Sequence, residues 1–318
     1  MRDSGPDPVT EHATGETGTA ALAAFDRHRR LLFTVAYQML GSVADAEDAV
    51  QDAWLRWSAT DRAGVADPRA YLVQIATRLA LDRLNSARSR RETYVGPWLP
   101  EPLLTGAAAI AVASAPSAPE PPEAAELGEQ VSLAVLVVLE TLSPTERAVF
   151  VLREVFGMTV AEVAAAVNRS EPAVRQLAHR AREHVHARRP RFDTDARTQR
   201  QVTEQFFAAC AGGDVDALLA TLAPDVLLTS DGGGKVKAAL RPIAGADKVS
   251  RFVVAIAAAG LAIPGLRTEV TEVNGQAGIV GWIGTDPLMA ICPVVADGRI
   301  EQVLIMVNPD KLAGLAVL

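Results

Sequence analysis

The spacing of apolar residues predicts three helices in the first part of the chain. Between residues 21 and 93, apolar side chains recur at three- and four-residue steps, which places them on one face of a helix. Gly41 is a typical helix end, Ser42 is a typical N-cap, and Pro68 opens the third segment. We therefore expect a compact three-helix module, preceded by a polar tail at residues 1–20 that is predicted to be disordered.

A second helical segment follows a change of composition. Residues 94–130 are rich in Pro and Ala, and because Pro disfavours both helix interiors and central strands, this stretch is predicted to be an extended linker. Residues 131–192 return to helical spacing, and Ser143 and Thr159 each begin a capping-box pattern. The turn residues Asn168-Arg169-Ser170 then precede a last helix. Helix, short turn and helix in this order is typical of a helix-turn-helix.

The period changes once more in residues 198–318. Two short helices are predicted around Gly212-Gly213-Asp214, and Asp297-Gly298 is a strong hairpin signal. The candidate strands are Val226–Thr229, Val236–Leu240, Thr268–Val273, Gly278–Ile283, Met289–Val295 and Ile300–Val307. The predicted fold class is therefore multidomain, with two all-α helical domains followed by an α+β domain.

Length and composition favour a globular protein of more than one domain. The chain has 318 residues, of which 49% are hydrophobic and 22% charged. Its longest apolar stretches, Val131–Leu139 and Phe252–Ile263, are shorter than the ~20 residues that span a bilayer, so no membrane association is predicted. Cys210 and Cys292 stand far apart without His at ligand spacing. We therefore expect no disulfide, metal or cofactor, and a cytoplasmic location.

Charge is strongly segregated although the net charge is only −7. Residues 67–91 contain six Arg and two Asp, which gives +4, and residues 169–191 contain seven Arg and two Glu, which gives +5. Two separate basic surfaces on an acidic protein indicate two separate nucleic-acid contacts.

The last helix of the second all-α domain has two distinct faces. An apolar face is predicted to be buried and comprises Val174, Leu177, Ala178 and Ala181. The opposite face carries Arg175, Gln176, His179 and Arg182. Because Arg and Gln can hydrogen-bond to base edges, this face suits a major groove. The alternative is an ordinary solvated helix face.

An acidic cluster lies at the start of the second helix. Asp45, Glu47, Asp48 and Asp52 have no neighbouring His or Cys, so a metal site is not expected. The cluster is either a solvated face near a helix N-terminus or a docking patch for a basic partner.

A glycine-rich loop, Asp231-Gly232-Gly233-Gly234-Lys235, invites comparison with phosphate-binding loops. A P-loop needs Gly and Ser or Thr where this chain has Thr229 and Val236, so the motif fails twice. We therefore expect a turn with a solvated Lys rather than a nucleotide site.

Several motifs resemble a known family. Ala46-Glu47-Asp48-Ala49-Val50-Gln51-Asp52 resembles region two, and Leu142-Ser143-Pro144-Thr145-Glu146-Arg147 resembles region four, of the extracytoplasmic-function (ECF) sigma factors of the sigma-70 family. Three further motifs resemble the SigJ-like subgroup, which carries a SnoaL-like, NTF2-like C-terminal domain. They are Trp98-Leu99-Pro100-Glu101-Pro102, Asp231-Gly232-Gly233-Gly234-Lys235 and Asn308-Pro309-Asp310-Lys311-Leu312.

The resemblance implies an alternative sigma factor that binds the bacterial RNA polymerase core enzyme and promoter DNA, modulated in cis by its C-terminal domain. Residues implied in polymerase binding are Asp45, Glu47, Asp48, Gln51 and Asp52. Those implied at the minus-ten element are Asp61, Arg62, Arg69, Arg78, Arg83 and Arg88. Those implied at the minus-thirty-five element are Arg169, Ser170, Arg175, Gln176, His179, Arg180 and Arg182. The three short motifs are implied in a regulatory contact between domains. Many relatives have Asn at the position of Arg78, so this chain departs from the family there.

Two other functions compete with this interpretation. A helix-turn-helix regulator with a ligand-sensing domain would explain residues 131–318 but leaves the first basic module unexplained. An NTF2-like isomerase or hydrolase needs an acid–base group, and residues 198–318 contain no His. A small-molecule ligand of this domain, if it has one, is not identifiable from the sequence.

Overall fold

The computed structural model describes residues 9–106, 132–188 and 194–316, and the first of these segments opens with three packed helices. Their bounds are α1, Val9–Leu40; α2, Val43–Ser58; and α3, Pro68–Glu92. Gly41, with φ 67°, ends α1, and the Ser42 hydroxyl accepts a hydrogen bond from the Asp45 amide to cap α2. Helix α1 begins earlier than the sequence predicts, because residues 9–20, expected to be disordered, are helical. Residues 1–8 of that predicted tail lie outside the described residues.

The second all-α domain contains the predicted helix-turn-helix. Its helices are α4, Leu133–Leu139; α5, Pro144–Phe150; α6, Val160–Val167; and α7, Glu171–Arg188, with a π-helical turn at Val151–Val155 after α5. Both predicted capping boxes are present, at Ser143 and Thr159. The turn between α6 and α7 is made by Asn168 in a left-handed conformation. Residues 107–131, which include most of the predicted linker, lie outside the described residues.

The C-terminal part is the predicted α+β domain. It contains α8, Ala196–Gly212; α9, Val215–Thr221; β1, Leu222–Asp231; β2, Ile243–Ala244; α10, Ala246–Leu261; β3, Leu266–Val273; β4, Gln276–Ile283; β5, Asp286–Ala296; and β6, Arg299–Met306. The sheet order is β2-β1-β6-β5-β4-β3, in which only β1 and β6 pair in parallel. The predicted hairpin turn is confirmed, since Asp297 and Gly298 both have positive φ.

In this domain one predicted strand is wrong, and one helix was not predicted. Val236–Leu240 is not a strand; it belongs to the loop between β1 and β2, and both of these apolar end residues are exposed. Helix α10 was not predicted because its second half is a nearly continuous apolar run and its start, after Gly245, has no capping side chain. Its buried face, which includes Val249 and Val253, packs with β1.

The sheet is covered on both faces, which brings the domains together. Ile279 of β4 packs with the side of helices α8 to α10, whereas Val280 and Trp282 belong to the apolar core of the helical domains. Leu99 and Leu104, from the segment leaving α3, lie in that same core. The described helical domains, this segment and one sheet face therefore form one continuous body. Among the described helices, none is long and apolar enough to cross a membrane.

Candidate nucleic-acid interface and interdomain contacts

The helix-turn-helix presents α7 as the sequence predicts. Val174, Ala178 and Ala181 are buried, and Leu177 is half-buried against the same core. The predicted contact residues are all exposed, on α7 and in the turn before it: Arg169, Ser170, Arg175, Gln176, His179, Arg180 and Arg182. The structure therefore brings these seven residues to one accessible element.

Acidic residues hold several of these basic side chains in place. The ion pairs are Arg175–Glu171 at 2.7 Å, Arg180–Glu146 at 3.5 Å, Arg182–Glu154 at 3.7 Å and His179–Glu183 at 3.5 Å. Ion pairs this exposed contribute about 0–1 kcal/mol each. A phosphate can therefore replace the carboxylate at little cost.

The basic side chains of the first domain are arranged less simply. Arg69 is exposed in the first turn of α3, and Asp61 is exposed in the preceding loop. Arg62 lies 5.8 Å from the Trp57 ring and donates to the Trp57 carbonyl. Arg83 forms an ion pair with Asp52 of α2 at 3.0 Å. The side chain of Arg88 lies outside the described residues.

Arg78 makes a contact that the sequence did not foretell. Its guanidinium donates to the Ala165 carbonyl at 2.9 Å and the Ala166 carbonyl at 3.4 Å, at the end of α6, and Gln74 donates to Ala165 at 2.7 Å. Carbonyls at a helix C-terminus lack partners within the helix, so a cation is favoured there. A predicted DNA-contacting residue of the first domain thus caps a helix of the helix-turn-helix.

The acidic cluster forms an exposed side of α2. Glu47, Asp48 and Gln51 are exposed, and Asp45 and Asp52 are partly exposed. Asp48, Gln51 and Asp52 share one helix side, because they are three and four residues apart. Their arrangement suits a basic partner surface, although Asp52 is already paired with Arg83.

The three short motifs converge on the carboxylate of Asp231, which is fully buried. It accepts hydrogen bonds from the Tyr94 hydroxyl at 2.6 Å, the Leu99 amide at 2.9 Å and the Gly233 amide at 3.0 Å. Lys311 donates to it at 2.8 Å and to the Leu99 carbonyl at 2.7 Å. Its counter-charge and its hydrogen bonds together compensate for burying this carboxylate.

Aromatic rings enclose the Lys311 ammonium. Its Nζ lies 4.0 Å from the centroid of the Trp98 ring and 4.6 Å from that of Tyr94. Asn308 donates to the Tyr94 hydroxyl at 2.8 Å, and burial raises the pKa of that hydroxyl, so it remains a proton donor to Asp231. Partly desolvated cation–π contacts add to the ion pair here.

Neighbouring atoms approach the backbone of this loop so closely that Gly232 and Gly233 have no room for a side chain. A methyl group at Gly233 would lie 2.3 Å from Asn308 Nδ2, and one at Gly232 would lie 2.4 Å from the Val236 carbonyl oxygen. Gly233 and Gly234 also have positive φ. The Gly-rich sequence therefore fits a docked loop and not a phosphate cradle.

The remaining motif residues occupy nearby positions. Pro100 and Pro102 are buried, Leu312 is buried in the shared core, and Pro309 begins a short 3-10 helix. Lys235 and Asp310 form an exposed ion pair at 2.5 Å. The structure thus places all three predicted interdomain motifs in one contact.

Glu101 ties the segment after α3 to the start of α2. Its carboxylate accepts from the Val43 amide at 2.6 Å, and its own amide donates to the Gly41 carbonyl at 2.8 Å. Burial raises the pKa of Glu101, and the hydrogen bond from Val43 opposes that shift. The segment therefore supplies an anion at the N-terminus of the helix that bears the acidic cluster.

Two residues that were not predicted from the sequence, Tyr37 and Asn274, complete the contact. The Tyr37 hydroxyl donates to the Glu101 carbonyl at 2.5 Å and accepts from Asn274 at 2.8 Å. Asn274 also pairs with Leu103 through backbone and side chain. Asn274 precedes Gly275 in a turn where both have positive φ, and this Asn-Gly pair was the available signal.

Arg147 links the two helical domains. It is buried, pairs with Glu140 and donates to the Gln38 carbonyl of α1 at 3.2 and 3.3 Å. Burial lowers the pKa of Arg147 to about 9. Arg147 lies in the motif that resembles region four, but nothing in its local sequence reveals a partner so far along the chain.

No group of three or more His, Cys, Asp or Glu side chains within the described ranges could hold a metal ion. Burial raises the pKa values of Cys210 and Cys292 to about 12, which keeps both thiols protonated.

Comparison with known proteins identifies the family. Residues 24–90 match the model for sigma-70 region 2, and residues 132–185 match the model for sigma-70 region 4. The ECF RNA polymerase sigma factor SigJ of Mycobacterium tuberculosis is 41% identical over 303 residues, which cover 92% of this chain and 93% of that protein. The chain belongs to the ECF RNA polymerase sigma factors.

A solved structure of this relative and a second relative support the membership. The crystal structure of Mycobacterium tuberculosis SigJ has a TM-score of 0.71 at 38% identity, covering 92% of this chain and 98% of that one. A probable ECF sigma factor of the same organism, SigI, is 31% identical over 91% of this chain and 94% of its own length. Because these matches extend over more than nine-tenths of the chain, the predicted family is confirmed, and the protein is an alternative RNA polymerase sigma factor.

Proposed function

We propose that this sigma factor binds the RNA polymerase core through the acidic side of α2 and promoter DNA through α3 and α7, under control of its own C-terminal domain. The convergence of three distant motifs on the buried Asp231 carboxylate supports the control in cis. We also propose that the protein acts in the cytoplasm, where promoters and polymerase are found.

The contact of α7 with DNA is tested at Arg175. Its guanidinium is exposed, and among the described residues it forms an ion pair with Glu171 alone, so it is available to a base or phosphate. Arg175→Ala should cost about 1–3 kcal/mol at one promoter position if it reads a base, and less, evenly across sequences, if it contacts phosphate. Equal binding by the variant and the parent on all upstream sequences would remove Arg175 from the interface.

The contact of α2 with polymerase is tested by charge reversal. Glu47→Lys together with Asp48→Lys reverses the charge of two exposed side chains; it removes the weaker Arg83–Asp48 ion pair at 4.0 Å but keeps Asp52, which pairs with Arg83 at 3.0 Å. Retention on purified core polymerase should fall, whereas Asp216→Lys with Asp225→Lys, on exposed positions of the C-terminal domain, should not change it. Equal retention of both variants would mean that the cluster is a solvated surface.

The contact between α3 and the helix-turn-helix gives control by the C-terminal domain a physical basis. Arg78 and Gln74 are held by the end of α6, so α3 and the helix-turn-helix must separate before these two side chains reach DNA. The C-terminal domain binds the segment that joins those domains. A change in how strongly the C-terminal domain binds this segment therefore changes how easily α3 and the helix-turn-helix separate.

We propose that the C-terminal domain is a regulatory and not a catalytic unit. Asp231, one of the acids available for catalysis, is committed to Tyr94, Leu99 and Lys311. A hydrolase or isomerase activity that survives Asp231→Asn and is lost on changing another acid of the domain would revive the enzymatic alternative.

A further inference from the structure

The loop between β1 and β2 carries unpaired positive charge. Residues 232–246 contain Lys235, Lys237 and Arg241 and no acidic residue. Lys235 is paired with Asp310, whereas Lys237 and Arg241 are exposed and form no ion pair with any described residue. Two exposed cations without an ion-pair partner among the described residues thus lie four positions apart in this loop.

This loop is fastened beside the end of α3. Tyr94, two residues beyond the end of the helix, donates to Asp231, the residue that begins the loop. A methyl group at Gly234 would lie 3.1 Å from Cβ of Val95, and one at Gly96 would lie 3.6 Å from a methyl of Leu240. The loop is therefore packed along the segment by which the chain leaves α3.

The neighbouring end of α3 is also basic by sequence. Residues 83–91 include four Arg and no acidic residue. The loop consequently extends a basic run of the first domain with cations from the third. Exposed apolar side chains lie in the loop and in the segment beside it, since Val236 is 42% exposed, Leu240 67% and Val95 53%. A surface of cations and apolar groups is suited to the phosphates and sugars of DNA.

We infer that the loop of residues 235–241 is a third DNA-contacting element, in which Lys237 and Arg241 bind phosphates adjoining those bound by α3. The inference rests on the proposed function of α3. From Arg78 to the end of α3 the helix rises by ~20 Å, so the loop extends the footprint away from the helix-turn-helix. The contact is sequence-independent and exists only while the C-terminal domain is docked on the Tyr94 segment.

The salt dependence of DNA binding tests this inference. The full chain is titrated onto a fluorescent duplex of mixed sequence at several salt concentrations. Each lost phosphate contact reduces the slope of log affinity against log salt by ~0.9. Lys237→Gln with Arg241→Gln should reduce the slope by ~1.8, so that between 50 and 200 mM salt the parent loses ~12-fold more affinity than the variant.

A matched control separates this effect from general charge. Arg197→Gln with Lys248→Gln removes the same charge from exposed positions on α8 and α10, which cover the opposite face of the sheet. This control should keep the parental slope. Equal slopes for both double variants would overturn the inference. Absence of DNA binding by the parent would also overturn it, because the proposed surface is already formed without polymerase.

Polymerase is the competing partner. If the loop variant binds DNA with the parental slope but is lost from immobilised core polymerase, the surface is a protein contact and the inference is wrong. Failure of the proposed function is distinguishable: in that case the parent with core polymerase would not initiate transcription at any promoter, whatever the loop variant does.

Discussion

The buried Asp231–Lys311 pair should decide whether the segment of residues 98–105 stays docked. Lys311→Met keeps the length and apolar contacts of the side chain but removes the ammonium that lies 2.8 Å from the Asp231 carboxylate. Both side chains are nearly inaccessible, with 8% and 0% of their surface exposed. Removing one partner of such a pair costs about 3–5 kcal/mol, because the other charge stays buried.

Amide hydrogen exchange measures this cost at the contact itself. The amides of Leu99, Leu104 and Thr105 donate to Asp231, Gly314 and Glu272 of the C-terminal domain. Their exchange therefore requires release of the segment. Since each 1.4 kcal/mol is a factor of ten, Lys311→Met should accelerate exchange across residues 98–105 by ~100-fold or more.

The other lysine of the contact provides the control. Lys235 and Asp310 are also paired, at 2.5 Å, but their side chains are 56% and 60% exposed. Lys235→Met should therefore change exchange by only a few-fold, because exposed pairs contribute about 0–1 kcal/mol. Similar exchange rates in the two variants would refute the reasoning that burial makes the Lys311 ion pair the more stabilising of the two.

Three further predictions concern single positions. Ala178→Arg should unfold the helix-turn-helix by forcing a charge into its buried face, whereas Gln176→Arg on the exposed face should leave the thermal unfolding temperature unchanged. Gly233→Ala should release the docked segment, seen as faster hydrogen exchange, because its methyl meets Asn308; Gly298→Ala, with equally positive φ but no neighbour within 4 Å, should not. Hydrogen bonds from Thr159 lower the pKa of Glu162, so its stabilising effect is present above the ordinary value of 4.5 and lost as pH falls through the lowered pKa. Glu162→Gln should therefore lower the unfolding temperature at neutral pH, and equal loss at acid pH would contradict this.

Helix ends, buried helix faces and tight turns were predicted from the sequence because each depends on residues that are close together in the chain. Capping boxes, apolar spacing in α7 and the Asp297-Gly298 turn each involve residues within a few positions of one another. Val236–Leu240 was mistaken for a strand because a mostly apolar stretch does not reveal that Leu240 packs beside Gly96 instead of pairing in a sheet.

The contacts between domains were the least predictable from sequence. Arg78 bonds to carbonyls in α6, and Arg147 bonds to a carbonyl in α1; carbonyl groups are present at every residue and so leave no sequence signal. The three short motifs were assigned to one contact by resemblance, but the roles of Tyr94, Tyr37 and Asn274 required coordinates. The assigned roles in DNA and polymerase binding stay predictions for the experiments above.

The most direct test of control in cis is transcription from one promoter by core polymerase with three forms of the chain. A chain ending at Val307 lacks Lys311, which pairs with Asp231, and Leu315, the carbonyl of which accepts a hydrogen bond from Trp282. It should transcribe more than the full chain, because the segment of residues 98–105 is released. A chain ending at residue 192 lacks the sheet that buries Leu99 and Leu104, and should transcribe less because that core is exposed. Indistinguishable output from all three forms would contradict the account, since the C-terminal domain would then have no part in initiation.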